Sequence, residues 1–183
     1  VRNGDDRHLD VVADGNEQVI RARFADATFF IREDESLRLE DMLPRLGTLT
    51  FQFKLGSMLD KSQRIEKVVE TLITRFGLNE RDAAAARRAA HLCKADLVSH
   101  MVVEMTSLQG LMGRFYAHRD GETAETAEAI LEHYLPRYAG DTLPSGMPGL
   151  VVGLADRLDS LTGLFAAGLA PTGTKDPFAQ RRA

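Results

Sequence analysis

Residues 55–76 read LGSMLDKSQRIEKVVETLITRF, and this stretch decides the fold class. Ile65, Val68, Val69, Leu72, Ile73 and Phe76 recur at helical spacing, so one face of a long helix is apolar. Gly77 follows the last of them and can take the left-handed backbone that ends a helix. The reading therefore predicts a helix over about Leu55 to Phe76, with an amphipathic face that needs other helices to cover it.

The same logic extends downstream. Asn79 is placed to cap an alanine-rich helix through Ala83–Ala86 and Arg87-Arg88 towards Asp96, and alanine is the strongest helix former. Residues 97–118 read as helix in one or two pieces, interrupted near Ser107 to Gly113. Glu122 to Leu135 reads as a helix stopped by Pro136. A loop with Gly140, Pro144, Gly146 and Pro148 follows. Leu154, Leu158, Leu161 and Phe165 then mark a last full helix, closed by Gly168 and Pro171. Asp176-Pro177 has the cap and first-turn chemistry of one more helix.

Upstream, Ile20, Phe24, Ala27 and Ile31 share one helical face, with Asp14 or Asn16 as a cap, and the charged stretch Arg32 to Ser36 ends that helix. Leu37 to Leu46 reads as a short helix disturbed by Pro44. Residues 1–14 read differently. Asn3-Gly4-Asp5-Asp6 is turn chemistry, and Leu9, Val11 and Val12 suggest a short returning strand, the remnant of a truncated β-hairpin. The fold class is therefore all-α, a helical bundle with that small hairpin remnant at its N-terminus. The opening Val1-Arg2-Asn3-Gly4 and the closing Gln180-Arg181-Arg182-Ala183 both read as cut, as in a piece of a larger protein.

Composition narrows the function classes. The chain has 183 residues, 44% apolar and 27% charged, enough for one packed domain and unlike a disordered polymer. Lys plus Arg number 23 against 27 Asp plus Glu, a net charge of −4. The chain as a whole is thus no polycation that coats nucleic acid or anionic membrane, although a local basic patch remains open. A single cysteine, Cys93, excludes an internal disulfide and a four-cysteine zinc site, and fits a reducing cytoplasm. No run of apolar residues is long enough for a membrane span. No glycine-rich phosphate loop follows a strand, and no Gly-x-Ser-x-Gly elbow is present.

Two segments set a carboxylate in an apolar helical context: Ala90-His91-Leu92-Cys93-Lys94-Ala95-Asp96-Leu97 and Leu154-Ala155-Asp156-Arg157-Leu158-Asp159. They resemble the second and last metal-binding signatures of the HD superfamily of helical phosphohydrolases. In that family, His and Asp side chains hold a divalent metal that activates water for attack on phosphorus. Met58-Leu59-Asp60-Lys61-Ser62-Gln63-Arg64-Ile65 resembles the early helix, with Lys61 where the family has His. Ala95 stands where the paired His belongs, so only Asp96 and Asp156 remain of the ligand set. An ammonium repels a metal cation and alanine donates nothing, so the resemblance implies degenerate positions and no metal. His100, four residues after Asp96, is expected on the same helical face, and His91, nine residues before His100, on the opposite one. His8, His118 and His133 are scattered and read as surface or hydrogen-bonded residues. The plain reading of Asp96 and Asp156 is carboxylates paired to neighbouring Arg or Lys.

A wider resemblance runs along most of the chain. Gly15-Asn16-Glu17 followed by Arg21-Ala22-Arg23-Phe24-Ala25-Asp26-Ala27-Thr28-Phe29-Phe30, then Phe51-Gln52-Phe53-Lys54-Leu55-Gly56-Ser57, Leu92-Cys93-Lys94-Ala95-Asp96-Leu97 and Leu108-Gln109-Gly110-Leu111-Met112-Gly113-Arg114-Phe115-Tyr116-Ala117 occur in order. His133-Tyr134-Leu135-Pro136-Arg137-Tyr138 and Pro171-Thr172-Gly173-Thr174-Lys175-Asp176-Pro177-Phe178-Ala179-Gln180-Arg181-Arg182 complete the set. Together they resemble the β subunit of the bacterial heterotetrameric glycyl-tRNA synthetase, with Phe53 standing where that family has an acidic residue.

The resemblance implies a cytoplasmic ligase that joins glycine to tRNA(Gly) with ATP. Its α subunit holds the ATP, the Mg and the catalytic site, and its β subunit serves tRNA binding and α2β2 assembly. It further implies three parts here. Residues 1–35 would be the tail of a preceding domain and a connecting helix, 36–170 an HD-like helical domain, and 171–183 the start of a next helical region. No catalytic residue and no cofactor are expected within the chain itself. Lys61, Arg64, Arg87, Arg88 and Arg114 are the leading candidates for tRNA phosphate, with Arg21, Arg23, Lys54 and Arg137 behind them. Each could equally belong to a solvated or internally paired face. Phe115, Tyr116, Tyr134 and Tyr138 could stack on bases or fill the core. An active metal phosphohydrolase and a helical protein-interaction module without RNA contact are the rival readings.

Overall fold

A computed structural model describes residues 7–182. The chain begins with α1 (Leu9–Glu35), continues through a 3-10 segment over Glu40–Thr48, and makes a two-stranded antiparallel hairpin, β1 (Thr50–Gln52) and β2 (Gly56–Ser57). Then follow α2 (Met58–Phe76), α3 (Glu80–Leu92), α4 (His100–Glu104), α5 (Leu111–Arg119), α6 (Ala124–Glu132) and α7 (Met147–Ala166). The all-α expectation holds, and helices α2, α3, α6 and α7 pack against one another as the central bundle. Helix α5 lies on α6, and α1 leans on α4.

Helix α2 is specified locally at both ends. Ser57 Oγ accepts from the Asp60 N–H, and Asp60 Oδ2 accepts from the Ser57 N–H, a reciprocal cap. Gly77 ends the helix at φ 62°, in the left-handed region the sequence anticipates. The cap sets the helix phase so that Ile65, Val69 and Ile73 enter the core, each stabilising the fold by roughly 1.5–3 kcal/mol. Lys61 lies one turn before Ile65 on that same inward face and is buried with them.

The alanines of α3 allow close approach. Ala83, Ala86, Ala89 and Ala90 are buried, so the helix sits tightly between α2, α6 and α7. Asn79 caps it as expected, accepting from the Asp82 N–H. The helix ends at Leu92, short of Asp96, which falls in a 3-10 turn over Ala95–Val98.

Several expectations are corrected. Leu9, Val11 and Val12 form no strand; they open α1, which runs through Asp14 and Asn16 without using either as a cap. The turn read at Asn3–Asp6 lies outside the described residues. The hairpin sits instead at Thr50–Ser57, ahead of α2. Asp176 accepts from the Gln180 and Arg181 N–H groups but starts only a 3-10 turn over Gln180–Arg182 among the described residues. The Leu37 to Leu46 helix is a 3-10 segment, Glu40–Thr48, with Pro44 inside it; Pro44 carries no N–H to continue an α-helical ladder.

Candidate functional site

Helices α2 and α7 meet along a charged seam. Asp156, Asp159 and Ser160 share one face of α7, and Lys61 and Arg64 share the facing side of α2. Lys61 Nζ lies 2.8 Å from Asp156 Oδ1 and 3.1 Å from Asp159 Oδ2, and donates to Ser160 Oγ at 2.7 Å. Arg64 Nε donates to Asp159 Oδ1 at 2.6 Å, and its Nη1 to the Leu55 carbonyl at 2.9 Å.

A second ammonium approaches from the other side. Lys94, in the turn after α3, is buried and donates to Asp156 Oδ2 at 2.7 Å. Its Nζ also lies 2.9 Å from His133 Nε2, and 4.4 Å from the centre of the Tyr134 ring. His133 Nδ1 lies 2.7 Å from the Ile130 carbonyl, so Nδ1 carries the proton and Nε2 accepts from Lys94. Asp156 is thus clasped between two ammonium groups.

The electrostatics follow from that clasp. Burial would raise the Asp156 pKa, but the Lys94 and Lys61 charges outweigh it and hold the carboxyl far below the usual range. Burial pulls Lys94 down, yet the Asp156 carboxylate more than restores it, so Lys94 stays charged. Burial and the Lys94 charge push His133 well below its ordinary value, which keeps the imidazole neutral. Cys93, fully buried, is pushed up to about 12 and stays a thiol.

Asp96 takes no part in the clasp. Its Oδ2 accepts from the Gly110 N–H at 2.6 Å and the Gly113 N–H at 3.0 Å, which ties the 3-10 turn to the start of α5. Gly113 is required there: a Cβ would lie 2.7 Å from Ile130 Cγ2 and 3.1 Å from Asp96 Oδ2. Burial raises the Asp96 carboxyl to about 6, against the pull of those two N–H bonds. The folded state then holds the proton more tightly than an unfolded carboxyl at about 3.9. Asp96 therefore contributes a fall in stability as pH rises from about 4 to about 6, at most about 1.4 kcal/mol per pH unit. Chemical denaturation between pH 4 and 7 should show that slope flattened in Asp96→Asn; an unchanged slope would contradict the assignment.

The expected face shared by Asp96 and His100 is not formed. Ser99 has extended backbone and caps α4, which separates the two residues. His100 turns to Asp34, with Nδ1 2.9 Å from its Oδ1, and His91 turns to Glu66 at 2.9 Å. Ala95 is buried among apolar neighbours, and it is the residue before it, Lys94, that reaches the seam. Lys94, His133 and Asp159 are the site residues that sequence reasoning passed over. Asp159 could have been found as the next helical neighbour of Asp156. His133, far away in sequence, gives no such signal.

The residues do not fit a metal ion. Lys61 and Lys94 fill the space beside Asp156 with positive charge. Among the described residues, no group of three or more His, Cys, Asp or Glu side chains is arranged to hold one.

The five leading cationic candidates all meet carboxylates. Lys61 is almost fully buried, with 4% of its side chain exposed, whereas Arg87 is 44% exposed with Glu70 as its partner at 2.8 Å. Arg88 sits between Glu40 and Glu122, at 2.9 and 2.6 Å, and Arg114 pairs with Glu128 at 2.9 Å. Arg21 pairs with Glu17, Lys54 donates to the Ala167 carbonyl, and Arg137 to that of Gln109. Tyr116 is core, Tyr134 walls the seam, and Phe115 and Tyr138 are exposed.

Comparison with known proteins places the whole chain. The family model described as glycyl-tRNA synthetase beta subunit matches residues 1–183. The glycine–tRNA ligase beta subunit of Synechocystis is 50% identical over 100% of this chain and 25% of its own length. Those of Moorella thermoacetica and Clostridioides difficile are 48% and 50% identical, again over 100% of this chain and 26% of theirs. The chain therefore spans about a quarter of the length of the curated relatives it matches. Among the described residues, no helix is long and apolar enough to cross a membrane.

Proposed function

Because the chain belongs to the glycyl-tRNA synthetase beta subunit family, we propose that it forms a non-catalytic helical module of a glycine–tRNA ligase. Residues 36–170 constitute an HD-like domain, residues 1–35 lead into it from a preceding domain, and residues 171–183 open the next helical region. The complete cytoplasmic enzyme joins glycine to tRNA(Gly). ATP, Mg and the catalytic site belong to its α subunit, and the β subunit contributes tRNA binding and α2β2 assembly.

The observation that carries the non-catalytic reading is the clasp of Asp156 between Lys61 and Lys94. In an HD-type hydrolase that carboxylate would bind metal, and the metal would lower the pKa of an attacking water. Here two ammonium groups already neutralise it, and His133 spends both ring nitrogens on Lys94 and the Ile130 carbonyl. The arrangement suits a cross-link between α2, α3, α6 and α7.

RNA contact then falls to cations on the surface. Arg87, with Arg88 and Arg114, is favoured over Lys61, because a guanidinium in a half-exposed pair can exchange one carboxylate for a phosphate. The test is salt-dependent tRNA affinity of the assembled α and β subunits. Arg87→Ala should lower the slope of log affinity against log salt by about one. Lys61→Ala should leave that slope unchanged while lowering the melting temperature. If Arg87→Ala, Arg88→Ala and Arg114→Ala all leave the slope intact, the RNA role fails and a protein-interaction module replaces it.

A further inference from the structure

Helix α1 carries an apolar face that, over most of its length, nothing among the described residues covers. Leu9, Ala13, Ile20, Phe24, Ala27 and Ile31 lie along one side of it at helical spacing. At its C-terminal end the stripe is packed: Ala27 and Ile31, with Phe30, rest against the core beside α4. Upstream the cover stops. Every residue from Arg7 to Asp26 is exposed, including Ile20 at 53% and Phe24 at 69%.

The mismatch is one of length. A 27-residue helix is about 40 Å long, whereas the five residues of α4 span only about 8 Å. A helix that projects without tertiary cover has only its own marginal propensity to hold it, and Gly15 within the projecting part lowers that further. Beside the bare stripe runs an acidic edge, Asp10, Asp14 and Glu17, also at helical spacing. Arg21 pairs with Glu17 at the end of that edge.

We infer that the projecting part of α1 is a docking face for another segment of the same polypeptide, outside these 183 residues, that is amphipathic. The relatives account for the choice of occupant. They match the whole of this chain, α1 included, at 48–50% identity overall, yet about three quarters of their length lies elsewhere. The stripe runs from the part already packed on α4 back through Phe24 to Ile20, as expected where one polypeptide lays further structure along the same helix. The inference rests on family membership and does not depend on tRNA binding.

The test uses the full-length subunit containing this sequence. With p-benzoylphenylalanine in place of Phe24, irradiation and peptide mass spectrometry should find a cross-link within one polypeptide, to a peptide outside residues 1–183. A cross-link to a second copy or to a different protein overturns the inference. Hydrogen exchange provides the second arm. Amides from Ala13 to Phe24 should exchange at least about 100-fold more slowly than an unprotected chain. Ile20→Asp should abolish that protection and leave the amides of α2 unchanged. Exchange of residues 13–24 at unprotected rates in the unaltered subunit overturns the inference irrespective of the cross-link.

Discussion

Asp156→Ala should lower the stability of the fold by about 3–5 kcal/mol, the range for breaking a buried charge pair by removing one partner. The reason is the pair of ammonium groups it leaves behind. Lys61 retains Asp159 and Ser160, but Lys94 keeps only the neutral His133 and the face of Tyr134. A buried ammonium without a counter-charge must lose its proton or draw in water, and either reduces stability. Urea denaturation at pH 7 measures the loss; a value under about 1 kcal/mol would mean that the seam is solvated rather than buried. Asp156→Leu combined with Lys94→Met should recover much of it, since apolar groups of similar volume tolerate the site without desolvation cost.

The pH dependence carries the same signature. The folded carboxyl lies far below an unfolded value of about 3.9, so its contribution is fully present above about pH 4. It is lost as pH falls through the folded value, and Asp156→Ala should lack that acid-side loss.

A second large effect is expected at Asp34→Ala, about 3 kcal/mol, with α1 released from the bundle. Asp34 is 2% exposed although it sits in a strongly charged stretch. Its Oδ1 accepts from the His100 N–H at 2.8 Å and faces His100 Nδ1; its Oδ2 accepts from the Met101 N–H at 3.0 Å and from Tyr116 Oη at 2.8 Å. It therefore caps α4 from the far end of α1 and holds the phenol of α5. Removal strands buried donors, at roughly 1–3 kcal/mol for each group left unsatisfied. Exchange at the last turns of α1 should accelerate together with the loss of stability. A change within about 0.5 kcal/mol, the range of ordinary surface substitutions, would show that the three helices are held without it.

Asp34 also illustrates where sequence reasoning stops. The stretch Arg32 to Ser36 reads as a helix terminator, and α1 does end there. Its spacing after Ala27 and Ile31 puts Asp34 on the packed face of α1, but nothing local names its partners, because its donors lie more than sixty residues away. Lys61 is an intermediate case. Its spacing before Ile65 puts it on the inward face of α2, a position legible from the period alone. Its charge suggests an outward edge, and the structure resolves the conflict by supplying Asp156 and Asp159 from α7.

What the sequence determined by itself was whatever depends on neighbouring residues: the helical period, the caps at Ser57 and Asn79, the stop at Gly77, and a family resemblance spread over many short segments. Those signals are local because backbone hydrogen bonds and caps span only about four residues. Tertiary structure decided the rest. It ended α3 before Asp96, turned Asp96 to the N–H groups of α5, and brought Lys94 and His133 to Asp156. Among the described residues no element reaches the first two-thirds of α1, although its stripe reads like that of a packed helix. The physical reason is that a buried charge is tolerated only where opposite charge or hydrogen-bonding groups converge on it, and an apolar face is covered only where another element reaches it. Both depend on which distant segments meet, and that is set by the packing of the whole bundle.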